Sequence, residues 1–189
     1  MSRRRLEQID TILDLLQYVL ICSVIVVIIF TIGIRHSTVV GNSMYPTLKN
    51  GEHVLINVAA SYMDDINRFD VVVAKNKTNN DLWVKRVIAL PNETVEYRDD
   101  QLYINGKVMD EIFLNKQYIK EMIEKRNTDK FTNDVGPYTL KSDEYFLVGD
   151  NRVNSADSRI ETVGPFKRNQ IIAKGLMIIY PFNEIKYIN

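Results

Sequence analysis

The chain of 189 residues carries 24 basic and 24 acidic side chains, for a formal net charge of zero, with two histidines and one cysteine. That balance removes the broad basic footprint of a nucleic-acid binder. A single cysteine excludes an intramolecular disulfide, and His36 and His53 without a second cysteine argue against a zinc site.

Three arginines, Arg3 to Arg5, open a stretch in which Leu6, Ile9, Ile12, Leu13 and Leu16 recur at helical spacing, an interfacial lead-in to a membrane span. A charge-free run follows from Leu15 to Ile34. Twenty helical residues at about 1.5 Å each reach about 30 Å, the thickness of a hydrocarbon core. A cleavable leader is the alternative, but its apolar region is normally about 7–15 residues and ends at small residues. This run is longer and leaves through Gly33-Ile34-Arg35-His36, which favours an uncleaved anchor over residues 15–34 behind a short N-terminal segment, 1–14. Charge only leans toward a cytoplasmic N-terminus, because Arg35 and Lys49 follow the run closely.

Residues 35–189 read as one mainly β domain of about 150 residues, enough for a single core. Strands are expected at 54–58, 70–74, 82–90, 94–97, 101–104 and 144–148, with further strands between Ile171 and Phe182. Arg98-Asp99-Asp100 reads as a turn, and Asn105-Gly106 as a two-residue hairpin loop. The charged stretch at about 110–142 reads as a small cap insert, with a short helix over 118–125 and a break at Gly136-Pro137.

Three places carry potential chemistry. Ser43 lies in the turn Gly41-Asn42-Ser43-Met44-Tyr45-Pro46-Thr47-Leu48, where a capping hydroxyl is the ordinary reading and a nucleophile the special one. Lys85 lies inside an apolar strand. Alternation puts Trp83, Lys85, Val87 and Ala89 on one face and Val84, Arg86 and Ile88 on the other. A lysine among apolar groups loses solvation of its ammonium form, so its pKa falls from about 10.4 and the amine can act as a base. A lysine snorkelling from a sheet edge is the plainer alternative. The third place, Gly149-Asp150-Asn151-Arg152-Val153-Asn154-Ser155-Ala156-Asp157-Ser158-Arg159, has the composition of a loop locked by Asp/Arg pairs, or of a surface turn.

Together these segments, with Arg68-Phe69-Asp70-Val71-Val72-Val73 and Lys85 through Glu93, resemble the four boxes of the type I signal peptidases, in order and behind one anchor. Size, single span and short cap look most like the Gram-positive members. The resemblance implies a β fold of antiparallel sheets with a small cap. It implies a single-pass cell-membrane enzyme, with its N-terminus cytoplasmic and its catalytic domain outside. The implied activity is removal of signal peptides from exported preproteins through a serine–lysine dyad and an acyl-enzyme, with Ala-X-Ala-like residues before the cut. By position, Ser43 is the nucleophile and Lys85 the general base. Ser155 matches a hydroxyl that orients the lysine, Asp157 with Arg159 and Arg86 with Asp150 match supporting ion pairs, and Met44 lines the cleft. No cofactor or metal is implied. The implied partners are signal peptides, the lipid bilayer and the secretion translocon, not nucleic acid.

Three positions depart from the pattern. Gly41 stands where some relatives supply a serine hydroxyl to the oxyanion, leaving the backbone N–H of Ser43 as the donor in hand. Phe69 and Asn92 stand where glycine is frequent; asparagine tolerates positive φ, whereas phenylalanine leaves that turn open. A catalytically silent binding relative is the other functional reading, disfavoured because Ser43 and Lys85 are both present. A self-cleaving repressor-type protease lacks support without a basic DNA-binding module. A penicillin-binding enzyme fails on spacing, since Pro46 stands three residues after Ser43.

Overall fold

The computed structural model describes residues 3–28, 33–58, 65–77, 79 and 81–189. Helix α1 runs over Arg3–Ile28. It contains no glycine or proline, and its Asp10–Val27 window has a mean hydropathy of 1.9 with none of it buried against protein. It is long and apolar enough to cross a membrane. Residues 29–32 of the expected span lie outside the described residues, and Ile34 is not helical: it opens strand β1, Ile34–Thr38, paired with Asn57.

The remaining strands are β2 (His53–Asn57), β3 (Val71–Lys75), β4 (Leu82–Ala89), β5 (Thr94–Arg98), β6 (Gln101–Ile104), β7 (Lys107–Met109), β8 (Val135–Thr139), β9 (Glu144–Val148), β10 (Phe166–Lys167), β11 (Ile171–Lys174), β12 (Leu176–Tyr180) and β13 (Lys186–Ile188), with helix α2 at Lys116–Arg126. They form three antiparallel sheets, ordered β1-β2-β12-β13, β10-β9-β4-β3-β11 and β7-β6-β5-β8. The fold is therefore mainly β, as the run of β-branched segments implies. The stretch from Ile171 to Phe182 splits at Gly175, so that β11 joins the central sheet and β12 the first. Val54, Ile56, Val71, Val73, Leu176 and Ile178 fill the core between those two sheets.

Local chemistry explains most of the turns. Asp99 and Asp100, then Asn105 and Gly106, all take positive φ, the pattern of the two-residue hairpin loops that match strand twist. Helix α2 starts where the Asn115 side chain accepts a hydrogen bond from the Tyr118 N–H, and ends at Asn127 in the left-handed region.

Two expectations are corrected. Gly136-Pro137 does not break the chain but lies in β8, an edge strand, where a proline costs no central ladder bond. Gly136 is needed there: its φ is +88°, and a Cβ would come within 2.6 Å of the Val95 carbonyl. The stretch at 110–142 thus contributes a strand to the third sheet as well as α2. The other correction concerns Ala89. A bulge between Val87 and Ala89 pairs Ala89 with Phe146, which turns it away from the Val87 face to pack with Ile88, Phe146 and Val148.

Candidate functional site

The central sheet brings the three chemical segments together. In β4, Arg86 pairs with Val148 of β9, so the loop that begins at Gly149 emerges beside Lys85. The Ser43 turn follows β1 and closes on itself through Tyr45 N–H to the Asn42 carbonyl (3.1 Å) and Leu48 N–H to the Met44 carbonyl (2.9 Å). The Asn151 N–H of the loop then donates to the Ser43 carbonyl at 3.0 Å, tying the two segments directly.

Lys85 Nζ lies 2.8 Å from Ser43 Oγ. The lysine is only 3% exposed. Its burial brings the ammonium down to about 8; Asp157 opposes this and Arg159 reinforces it. The Trp83 ring, 5.4 Å from Nζ on the same strand face, forms part of the apolar surround. A serine hydroxyl within hydrogen-bond distance of a buried lysine whose ammonium is disfavoured has the geometry that a nucleophile and its base require.

Asp157 anchors the loop. Burial works against its ionisation, but the Arg159 guanidinium and the Gly149 N–H outweigh this and hold its carboxyl below the usual range. Arg159 grips it with two hydrogen bonds of 2.8 Å, and the Gly149 N–H donates to it at 3.0 Å. Ser155 Oγ is buried and makes no hydrogen bond to Lys85; it lies beside Asp157 and helps to hold that carboxyl low. It packs against Gly149, where a Cβ would lie 2.7 Å from Ser155 Cβ and overlap the Ser43 carbonyl oxygen. Only glycine lets these three segments close up.

Arg86 and Asp150 form a buried two-point pair at 2.9 and 2.8 Å, with Arg86 also donating to the Phe69 carbonyl (2.7 Å) and Thr47 to Asp150 (2.5 Å). Thr47 thus joins the Ser43 turn to the same carboxylate. Phe69 adopts the glycine-like conformation, φ +71°, held by Phe113 with ring centroids 5.0 Å apart; Asn92 has φ +67°. A further set was not legible in the sequence. Arg152 donates to the Gly149 carbonyl (3.1 Å) and to both oxygens of Glu111 (3.0 and 2.5 Å), which also accepts from Tyr97 (2.8 Å). Glu111 lies in a charged stretch that gave no sign of a buried partner.

A groove of about 470 Å³ opens on Ser43 and Lys85, lined among others by Ser37, Val39, Gly41, Met44 and Val84. Gly41, with φ +91°, is held by its N–H to Asn50 Oδ1 (2.8 Å), and Met44 is buried. Strand β1 forms one edge of its sheet beside the groove, leaving a row of backbone groups for an extended chain. Among the described residues, no three His, Cys, Asp or Glu side chains converge on a metal-sized site.

Such a site on a β scaffold defines the class as a serine peptidase, a hydrolase. Residues 12–180 match the family model described as signal peptidase, peptidase S26. The chain is 38% identical over 191 residues to signal peptidase I S of Bacillus subtilis (strain 168), covering all of both chains. It is 36% identical over 187 residues to a signal peptidase I of Bacillus amyloliquefaciens, covering 98% of this chain and 97% of that one. A crystal structure of a signal peptidase I from Enterococcus faecalis V583 is 34% identical, with a TM-score of 0.48, over 59% of this chain and 97% of that one. The chain belongs to the signal peptidase family, peptidase S26.

Proposed function

We propose that this protein is a membrane-anchored endopeptidase that removes N-terminal signal peptides from exported preproteins, with Ser43 as nucleophile and Lys85 as general base. The observation that carries the reading is the 2.8 Å contact between Ser43 Oγ and the Nζ of a buried lysine. The signal-peptidase names of the Bacillus relatives supply the substrate class.

An extended precursor segment lies along the groove beside the edge of β1, where backbone pairing sets register and shallow apolar walls favour small side chains, as in Ala-X-Ala. Neutral Lys85 takes the Ser43 hydroxyl proton as Oγ bonds the scissile carbonyl carbon. The carbonyl π electrons move to oxygen, facing the Ser43 N–H. Collapse breaks the C–N bond, and the Lys85 ammonium returns its proton to the departing amine. Water then attacks the acyl-Ser43 ester, giving its proton to Lys85, which passes it to the Ser43 oxygen as the acid leaves. Asp157 with Arg159, and Asp150 with Arg86, hold the loop and strand that present Lys85. Ser155 packs behind the dyad, through Gly149 rather than through a hydrogen bond to the lysine. Helix α1 supplies the anchor through its Asp10–Val27 window, the residues before it face the cytoplasm, and the β domain from Ile34 onward works outside it, beside the bilayer and the secretion translocon.

Incubating the purified full chain with an exported precursor and determining the product's N-terminus by mass spectrometry tests this. The expected result is one cut after an Ala-X-Ala-like segment, absent with Ser43→Ala; cutting at unrelated positions, or by Ser43→Ala, would contradict it.

A further inference from the structure

The oxyanion donor needs its own orientation, and Gly41 offers no side chain to help. The Ser43 N–H donates to no group among the described residues, so it is free to meet a developing negative charge. It shares a peptide plane with the Asn42 carbonyl. That bond is not among the cis peptides, so carbonyl and N–H point in opposite directions, and whatever holds the carbonyl aims the N–H.

Asn151 holds it. The residue is 4% exposed, and its Nδ2 donates to the Asn42 carbonyl at 2.9 Å. Its backbone N–H donates to the next carbonyl, that of Ser43, at 3.0 Å. One residue therefore fixes both peptide planes flanking the Ser43 Cα, and with them the direction of the N–H relative to Oγ. Asn151 is itself anchored, since its carbonyl accepts the Asn154 N–H at 3.0 Å. Its Oδ1 is buried with no partner. A flipped amide would set Oδ1 against the Asn42 carbonyl, so the donor role fixes the orientation at the expense of an unsatisfied oxygen.

We infer that Asn151 is a positioning residue for the oxyanion site, aiming the Ser43 N–H through the Asn42 carbonyl. The inference rests on the reading of Ser43 as nucleophile. With the Asn151 side chain removed, only the 3.1 Å bond from the Tyr45 N–H holds the Asn42 carbonyl. The effect is therefore partial, smaller than the roughly 100- to 1,000-fold loss that follows deletion of an oxyanion donor.

The test uses the full chain, Asn151→Ala, and Asn151→Asp, which keeps the volume but cannot donate when ionised. Two ligands are compared: a peptide aldehyde ending in Ala-X-Ala, whose carbonyl adds Ser43 Oγ and the hydroxyl proton, and the same peptide as an unreactive carboxamide. Both variants are expected to lose about 10- to 100-fold in kcat with KM within about twofold. Aldehyde affinity should fall in parallel, while carboxamide affinity and the acid-limb midpoint of the pH–rate profile stay in place. Wild-type kcat and aldehyde affinity in both variants would overturn the inference. So would an equal fall in both ligands' affinities, a shifted acid limb, or failure of both variants to fold. If Ser43 is not the nucleophile, the wild-type protein itself forms no aldehyde adduct, which separates the two failures.

Discussion

Lys85 is the residue whose environment does most to set the chemistry. Its ordinary pKa of 10.5 falls to about 8 because burial penalises the ammonium more than Asp157 supports it. Activity should accordingly rise along an acid limb with a midpoint near 8, measured as kcat/KM against pH on a chemistry-limited substrate; a flat profile from pH 5 to 9 would contradict it. The same shift costs stability. The unfolded chain keeps this proton up to about 10.5, while the folded chain releases it above about 8, so between these values the unfolded state binds more protons and stability rises with pH. The cost is complete below pH 8, at about 3 kcal/mol, and vanishes above 10.5. Lys85→Met should therefore raise the denaturation midpoint at pH 7, with the gain shrinking as pH rises toward 10.5. A lysine in an apolar strand was visible in the sequence as an anomaly of pattern. That its amine faces Ser43, 42 residues earlier, depends on the pairing of β4 with its neighbours, which no local pattern encodes. Ser155 teaches the reverse: its place in the loop is clear, yet its hydroxyl packs against Gly149 and lies beside Asp157 without a hydrogen bond to Lys85.

Among the elements, β4 and the loop after β9 act as one piece. The Arg86–Asp150 pair is almost wholly buried, so removing one member strands the other charge in a low-dielectric interior. Asp150→Ala should lose about 3–5 kcal/mol in urea unfolding, and replacing both residues with apolar side chains should recover much of it. Strand existence was legible wherever β-branched residues cluster, as in Val71–Lys75, because half-buried pleated surfaces select them. The bulge at Val87/Ala89 was not, since simple alternation assumes an unbroken ladder. Strand β8 was hidden by Gly136-Pro137, whose edge position removes the usual objection to proline. Phe69 shows the limit of turn propensity: tilted ring contact with Phe113 and the Arg86 bond to its carbonyl sustain a positive φ that sequence alone disfavours.

At the scale of the whole molecule, α1 leads through residues 29–32 into β1, the strand beside the groove, so anchor and substrate edge belong to one segment of chain. The proposed topology is open to labelling with a membrane-impermeant maleimide in intact cells, because Cys22 is the only cysteine and lies in the span. In a Cys22→Ser background, Ile112→Cys, at a position 88% exposed, should label from outside. Gln8→Cys should label only after permeabilisation, and the opposite pattern would invert the assignment. The central claim is that a neutral Lys85 activates Ser43 for cleavage of exported precursors. Its most direct test is precursor cleavage by the full chain in lipid vesicles from pH 7 to 10, wild type against Lys85→Ala, with folding checked by thermal denaturation. The account predicts a folded variant that leaves the precursor uncut at every pH; cleavage by Lys85→Ala at a rate near wild type would contradict it.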